Sequence, residues 1–210
     1  MPARPDAVIF DLGGVLVGVD FARQREKLGI HCDARAAPWT ALGDDLMRRW
    51  CTGGIGEESF RRAMCERRGH DLDASTFAAW WSDIFFPIEG MDAVVRALAP
   101  AVRLGLLSDT DPIHWRVETA AHPFLGLVPR PTLSFVTGVL KPDPAAFLAA
   151  SRDVGVPPGR CLFVDDVERN VEGARRAGMQ AVRFEGRDAL LETLAAMGLP
   201  VPETFTRRPE

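Results

Sequence analysis

The stretch Val8-Ile9-Phe10-Asp11-Leu12-Gly13-Gly14-Val15-Leu16 decides the fold. An apolar run from Ala7 to Phe10 predicts a short buried strand. The run ends in the carboxylate of Asp11, and the two glycines that follow let the backbone turn tightly and bring a carbonyl close to that acid. A buried strand that leads into an acid and a flexible turn is typical of a reactive group at the carboxyl edge of an open α/β sheet.

Two further apolar runs end in polar side chains in the same way. Residues 102–107 predict a strand followed by Ser108-Asp109-Thr110, and residues 161–164 predict a strand that leads into Asp165-Asp166. A lysine, Lys141, is expected to open a helix. Because the carboxyl ends of parallel strands lie on one edge of a sheet, we expect all these groups to meet there.

The order of the predicted elements favours one fold class. The first strand is followed by a long stretch, residues 34–86, that is mostly helical and has no clear strand, and helix and strand then alternate to the end. Such alternation predicts an α/β fold, a parallel sheet with helices on both faces. We expect a core domain of residues 1–17 and 87–200, a helical cap of residues 18–86 over the carboxyl edge, and a C-terminal tail of residues 201–210.

Local patterns give further expectations. Residues 133–136 predict a short strand. The stretch that contains His114 and His122 predicts a loop or a broken helix, and both histidines are assigned to packing or solvent because no base or metal partner lies near them in the sequence. An aromatic stripe at helical spacing predicts packing between helices, through Phe77, Trp80, Trp81 and Ile84.

Composition excludes several classes of protein. The 210 residues carry a net charge of −4, which argues against a nucleic-acid surface. No apolar run approaches the length of about 18 residues that a membrane span requires, and without a secretory leader we expect a cytoplasmic protein. The sequence leaves the oligomeric state open. The cysteines are scattered without metal-ligand spacing and are expected to be reduced and structural: Cys32, Cys51, Cys65 and Cys161.

The expected meeting of polar groups has a definite chemistry. Carboxylates from two strands and a carbonyl from the glycine turn make an all-oxygen site, which suits Mg²⁺ and leaves room for a substrate phosphate. The hydroxyl of Ser108 and the ammonium of Lys141 suit the remaining phosphate oxygens. A carboxylate that faces a metal-neutralised phosphate can attack phosphorus and form an aspartyl-phosphate. This requires the carboxylates of Asp11 and Asp166 to lie within about 8 Å of each other.

These motifs resemble those of the haloacid dehalogenase (HAD) superfamily hydrolases, over nearly the whole chain from Val8 to about Leu199. The helical insert resembles the cap that this family carries after its first motif. The residues in and around the motifs are similar to those of the subfamily IA-like branch, which contains α-glucose-1-phosphate phosphatases and epoxide-hydrolase N-terminal-domain phosphatases. The four family motifs stand in order as Asp11-Leu12-Gly13-Gly14-Val15, Leu107-Ser108-Asp109-Thr110, Lys141-Pro142 and Phe163-Val164-Asp165-Asp166.

The resemblance implies a role for each motif residue. Asp11 would be the nucleophile and a metal ligand, and Gly13 would give its carbonyl to the metal. Asp165 and Asp166 would complete the Mg²⁺ site. The phosphoryl group would be held by residues of the second and third motifs, which are Ser108, Asp109 and Lys141.

The resemblance therefore implies a Mg²⁺-dependent phosphatase that forms an aspartyl-phosphate. Its substrate would be a small phosphorylated metabolite, such as a sugar phosphate or a nucleotide. Two alternatives remain: a catalytically weak binding or regulatory protein with the same fold, and a 2-haloacid dehalogenase. Dehalogenation needs no Mg²⁺, so the pair Asp165-Asp166 would have no use there.

The chain departs from the family pattern at two positions. Family phosphatases usually carry a second Asp two residues after the nucleophile as general acid and base, and this position is Gly13 here. The residue after the serine of the second motif is often Asn, and here it is Asp109. We hypothesise that Asp109 is paired with a cation or held protonated, and that it supplies the missing proton.

Overall fold

The computed structural model describes residues 4–29 and 45–203. In chain order, the strands of this part of the chain are β1 (Ala7–Phe10), β2 (Val17–Val19), β3 (Phe85–Pro87), β4 (Arg103–Ser108), β5 (Thr132–Leu133), β6 (Cys161–Asp165) and β7 (Gln180–Arg183). Its α-helices are α1 (Phe21–Leu28), α2 (Asp45–Cys51), α3 (Glu57–Arg68), α4 (Ala74–Ser82), α5 (Met91–Leu98), α6 (Pro112–Ala121), α7 (Ser134–Thr137), α8 (Pro144–Val154), α9 (Glu168–Arg176) and α10 (Arg187–Ala196).

A five-stranded parallel sheet forms the centre of the fold, in the order β5-β4-β1-β6-β7. The first strand lies between β4 and β6, so Phe10 is in register with Leu106 on one side and Val164 on the other. The predicted α/β fold is confirmed. Because β4, β1 and β6 run in one direction, their last residues lie together at one edge.

The side chains of β1 alternate between two apolar layers, since successive residues of a strand point to opposite faces. Val8 and Phe10 pack in a layer with α5 and α10, and Ala7 and Ile9 pack in a layer with α8 and α9. All four side chains are fully buried. A strand that is covered on both faces needs an uninterrupted apolar run, and this is the pattern that opens the sequence.

A two-stranded antiparallel ribbon connects the sheet to the inserted helices α1–α4. It pairs Val17 with Pro87 and Val19 with Phe85. The expectation of no clear strand up to residue 86 is therefore wrong at its end. These strands have three residues each, which is too short for a period-two pattern. Gly18 lies directly against the ring of Phe86, so a side chain at residue 18 would displace that ring.

The inserted helices pack around an aromatic cluster of their own. Trp50 stacks on Phe60 with ring centroids 4.5 Å apart, and Phe60 meets Trp81 edge to face. Phe77 and Trp81 are both 1% exposed, so the prediction that they pack between helices is confirmed. Ile113 of α6 joins the same cluster, which ties the inserted helices to the part of the chain that carries the sheet.

The predicted strand at residues 133–136 is shorter than expected. Only Thr132 and Leu133 pair with β4. The next residues form α7, in which Ser134 donates a hydrogen bond to the carbonyl of Cys51 at 2.6 Å. Val136 is 71% exposed, so the apolar pattern that suggested a buried strand here is misleading.

One helix start differs from expectation, whereas the Pro- and His-rich stretch takes one of its two expected forms, a broken helix. Asp111 accepts hydrogen bonds from the backbone N–H groups of Ile113 and His114 at the start of α6, and a 3-10 helix over Pro123–Leu127 follows the break at His122. Lys141 does not open a helix. The following helix, α8, begins at Pro144, and Lys141 lies in the preceding turn.

Other predictions concern the cysteines, the tail and the membrane. Cys51, Cys65 and Cys161 are buried free thiols, as expected. Cys32 and residues 204–210 of the expected tail lie outside the described residues. Among the helices that the structure describes, none is both long and apolar enough to cross a bilayer.

We predict that Gly173→Ala lowers the free energy of unfolding by about 1–2 kcal/mol. A Cβ at residue 173 of α9 would lie 2.8 Å from Cβ of Pro142 and 2.9 Å from the ring of Phe147. Overpacking of about 1–3 kcal/mol should outweigh the gain of up to about 1 kcal/mol in helix propensity. Urea denaturation measures the difference. Gly126→Ala is the control, since no atom lies within 4 Å of its added Cβ, and equal stability of the two variants would contradict the prediction.

Candidate active site

Three strand ends build the floor of the candidate site. Ser108 ends β4, Asp165 ends β6, and Asp11 follows β1 directly. The backbone N–H of Asp11 donates to the carbonyl of Val164 at 2.9 Å, which continues the pairing with β6 by one residue. Parallel pairing therefore brings together side chains that are up to 154 residues apart in the sequence, as the sequence analysis expects.

The ammonium of Lys141 lies between two of these carboxylates. Its Nζ is 2.8 Å from Oδ2 of Asp11 and 2.8 Å from Oδ2 of Asp165, and the lysine side chain is 2% exposed. Burial alone would lower the pKa of Lys141, but the carboxylates of Asp11, Asp165 and Asp109 outweigh this effect and raise it above the usual lysine value. The group is therefore a permanent cation in the middle of an acidic edge.

Asp11 is held in a fixed orientation. Its Oδ1 accepts a hydrogen bond from the backbone N–H of Leu12 at 2.7 Å, while Oδ2 faces Lys141. Burial raises the pKa of Asp11 well above its ordinary value, and the ammonium of Lys141 opposes that shift. A buried carboxylate with little water around it is a better nucleophile than a solvated one, provided that a cation keeps it ionised.

Asp165 is fixed by a residue that sequence reasoning did not single out as part of the site. The amide Nδ2 of Asn170 donates to both carboxylate oxygens of Asp165, at 3.1 Å each, and the backbone N–H of Val167 donates to Oδ1 at 2.8 Å. Asn170 lies in α9, five residues beyond Asp165. The sequence contains one signal for this role, which is an Asn in the first turn of the helix that follows a strand-end acid.

Three carboxylates converge where a cation could bind. One oxygen each from Asp11, Asp165 and Asp166 can be chosen so that all lie within 4.8 Å of one another, which meets the separation that the metal-site hypothesis requires. Burial and the neighbouring Asp165 raise the pKa of Asp166. Gly14 has φ +82°, and a Cβ there would lie 2.6 Å from Oδ2 of Asp166. The absence of a side chain at this turn is therefore what lets Asp166 approach.

The donor set of this cluster fits Mg²⁺. Its side chains offer hard carboxylate oxygens, and Gly13 lines the same cavity. The three carboxylates carry more negative charge than the single ammonium of Lys141 can offset. A divalent cation would relieve their like-charge repulsion, which adds to burial in raising the pKa of Asp166.

Asp109 lies beside the cluster rather than in it. Its Oδ1 accepts the backbone N–H of Lys141 at 3.1 Å, so it holds the turn that carries the lysine. Burial raises the pKa of Asp109, and the Lys141 ammonium lowers it in part. The hydrogen bond that the structure shows at Asp109 comes from a backbone N–H and not from a cation, so the hypothesis on Asp109 stays a prediction.

A cavity of about 240 Å³ opens above the strand ends. Its floor contains Asp11, Ser108, Asp109, Lys141 and Asp166. Its other wall comes from α1 and the ribbon, through Val19, Phe21, Gln24, Arg25, Ile84 and Phe85. The cavity therefore lies between the acidic edge and the inserted helices.

A buried polar link joins these helices to α6 at the cavity wall. Asp111 accepts hydrogen bonds from Nε1 of Trp81 at 3.0 Å and faces Nδ1 of His114 at 2.7 Å. The other ring nitrogen of His114 lies 3.2 Å from the carbonyl of Trp81, and the two rings stack with centroids 5.2 Å apart. The two ring nitrogens of His114 thus have the Asp111 carboxylate and the Trp81 carbonyl as their polar partners. His114 is 5% exposed, as expected for packing, but the premise that no partner lies near it in the sequence is wrong, because Asp111 is three residues away.

Comparisons with known proteins agree with this geometry. The family model of haloacid dehalogenase-like hydrolases matches residues 5–178. A phosphatase of Mycobacterium tuberculosis is 28% identical, over 91% of this chain and 94% of its own length. A flavin mononucleotide hydrolase of Arabidopsis thaliana is 38% identical, but over only 32% of this chain and 28% of its own.

Solved structures support the fold. A HAD family enzyme of Bacteroides thetaiotaomicron, in complex with magnesium and inorganic phosphate, superposes with a TM-score of 0.73 at 24% identity, over 87% of this chain and 95% of its own. The L-2-haloacid dehalogenase of Xanthobacter autotrophicus superposes with a TM-score of 0.60 at 19% identity, over 98% of this chain and 92% of its own. At such identities the likeness concerns the fold alone.

We predict that Lys141→Met lowers the free energy of unfolding by about 3–5 kcal/mol, because it leaves two buried carboxylates without their shared cation. Urea denaturation in the presence of a chelator measures the loss, and adding Mg²⁺ should restore part of it. The control is Lys27→Met at the other lysine of the chain, whose ammonium contacts the 52% exposed side chain of Asp83 and the backbone carbonyl of Trp80 instead of buried carboxylates. An equal loss in both variants, or none at Lys141, would contradict the prediction.

Proposed function

This chain belongs to the haloacid dehalogenase-like hydrolases, and we propose that it is a Mg²⁺-dependent phosphatase of small phosphomonoesters. The observation that carries the proposal is the pairing of Asp11 with Lys141 on the floor of the cavity, next to two further acids and a buried serine. The phosphatase of M. tuberculosis, which is similar over most of both chains, supports this reaction.

The metal would be held by Asp11, Asp165 and Asp166, with the carbonyl of Gly13 as a further ligand. When bound there, Mg²⁺ would neutralise charge on the phosphoryl oxygens of the substrate and so reduce their repulsion by the acidic floor. Asn170 would keep Asp165 in the ligating orientation through its two hydrogen bonds. The Asp165-Asp166 pair would have no such use in a dehalogenase.

The remaining steps follow from the residues of the chain itself. The carboxylate of Asp11 would attack phosphorus, the bond to the leaving-group oxygen would break, and that oxygen would depart with the electron pair and take up a proton. Lys141 and the hydroxyl of Ser108 would donate to the other phosphoryl oxygens. Water would then attack phosphorus of the aspartyl-phosphate, release inorganic phosphate and regenerate the carboxylate.

The proton for the leaving group needs a source, since Gly13 has no side chain. Asp109 is our candidate because it lines the cavity and its burial favours the protonated form. Its contact with the backbone N–H of Lys141 uses only Oδ1. A proton on Oδ2 would therefore not disturb that hydrogen bond.

The inserted helices would act as the cap of the site. We propose residues 18–86 as the cap domain, residues 1–17 and 87–200 as the core domain, and residues 201–210 as a tail. Four cavity residues of the insert, Val19, Phe21, Ile84 and Phe85, are apolar. Such a cover would exclude bulk water and limit the substrate to a small phosphorylated metabolite.

We predict that Asp11→Asn lowers phosphate release by at least about 10³-fold, because an amide oxygen is a poor nucleophile. The measurement is phosphate release from a panel of phosphomonoesters with Mg²⁺, and again with a chelator, which should abolish turnover. Asp188→Asn, at an exposed position of α10, is the matched control. Release that persists in Asp11→Asn would contradict the covalent mechanism. Tight Mg²⁺ binding without turnover of any ester would favour the binding or regulatory alternative.

Asp109→Asn tests the proton source. Asn keeps an oxygen that can accept the N–H of Lys141 but cannot supply a proton. We predict that turnover of alkyl phosphates falls by about 10²–10⁴-fold, while 4-nitrophenyl phosphate, whose leaving group needs no protonation, is affected much less. Steady-state kinetics on both ester types measure the contrast. Unchanged or faster turnover of alkyl phosphates would reject this role.

A further inference from the structure

A buried amide oxygen on the cap side of the cavity has no hydrogen-bond partner among the described residues. Gln24 lies in α1, lines the cavity and is 5% exposed. Its Oε1 is fully buried and accepts no hydrogen bond from residues 4–29 or 45–203. A buried carbonyl oxygen without a donor costs folding free energy, so its presence on a cavity wall calls for an explanation in terms of function.

The surroundings of Gln24 make the orphaned oxygen conspicuous. The same wall presents the apolar side chains of Val19, Phe21, Ile84 and Phe85, and the charged Arg25. An aliphatic residue at position 24 would extend the apolar part of this wall without leaving a polar atom unpaired. The amide is therefore the neutral polar feature of the wall that can tell one enclosed molecule from another of similar size.

Other unpartnered amides in the described chain differ in an informative way. Asn170 also has an unpaired oxygen at the cavity, but its Nδ2 fixes Asp165, so its position follows from that role. Gln180 has an unpartnered amide on β7 and does not line the cavity. Gln24 lines the cavity, and its oxygen serves no other residue of the described chain.

We propose that Gln24 is a specificity-determining residue that accepts a hydrogen bond from a neutral hydroxyl or N–H group on the leaving group of the substrate. The inference rests on the proposed phosphatase function and narrows its substrate class. The substrate is a compact phosphomonoester whose leaving group turns a carbon face to Phe21 and Phe85 and a donor to Gln24. An anionic group at this position would be repelled by the carbonyl oxygen.

The test compares esters that differ mainly in the donor. For a hydroxyl, glycerol 1-phosphate is compared with propyl phosphate. For an N–H group, uridine 5′-monophosphate is compared with its 3-methyl derivative. The wild type should favour the donor-bearing ester of at least one pair by about tenfold or more in kcat/KM, because the analogue leaves the buried oxygen unpaired. Gln24→Leu should bring this ratio close to one.

The controls separate specificity from folding and from the reaction itself. Gln180→Leu should keep the wild-type ratio, since that amide is remote from the cavity. Gln24→Met is a second apolar variant of matching length, and thermal denaturation verifies that each variant is folded. No preference in either pair, a preference for the donor-free ester, or a preference that survives Gln24→Leu would overturn the assignment. If the wild type hydrolyses 4-nitrophenyl phosphate in these cases, the proposed function still stands. If it hydrolyses no ester, the proposed function fails, and the assignment of Gln24 fails with it.

Discussion

The contact of the Lys141 ammonium with Asp11 and Asp165 is the interaction on which the rest of the site depends. A parallel sheet brings the ends of its strands to one edge, and in this chain those ends are acidic. Without a cation, the buried carboxylates would repel one another and draw protons instead of remaining ionised. The ammonium of Lys141 lets these buried carboxylates lie close together in the folded protein. Asp109 holds the turn that carries this lysine by accepting a hydrogen bond from the backbone N–H of Lys141.

The parts of the fold that were predictable are those in which burial dictates composition. The central strand is covered on both faces and is apolar at every position, so β1 and the acid after it stand out. The strand ends at Ser108 and Asp165 stand out for the same reason. In contrast, each strand of the ribbon has only three residues, and the end of β3 is exposed. No local sequence pattern therefore predicts these strands. Their pairing depends on partners that are 66 to 70 positions away in the sequence.

The site residues that were missed act through other residues. Asn170 orients Asp165, and Asp111 joins Trp81 to His114 while it caps α6. Neither residue type by itself predicts a role in positioning other side chains, because Asn and Asp at helix starts are common capping residues. Their function follows only from what the fold places opposite them. The sequence therefore predicts the groups that would do the chemistry better than those that position them.

The ribbon has a consequence for how this protein can change. Since Val17 pairs with Pro87, the chain leaves the sheet and returns to it at points separated by about 5 Å, the usual spacing of paired strands. A segment with closely spaced ends can be exchanged for another without shifting the register of the strands beneath it. Recombination could thus graft a different cover onto the same acidic edge and change which molecules it admits, while the residues that would bind metal and phosphate stay where they are.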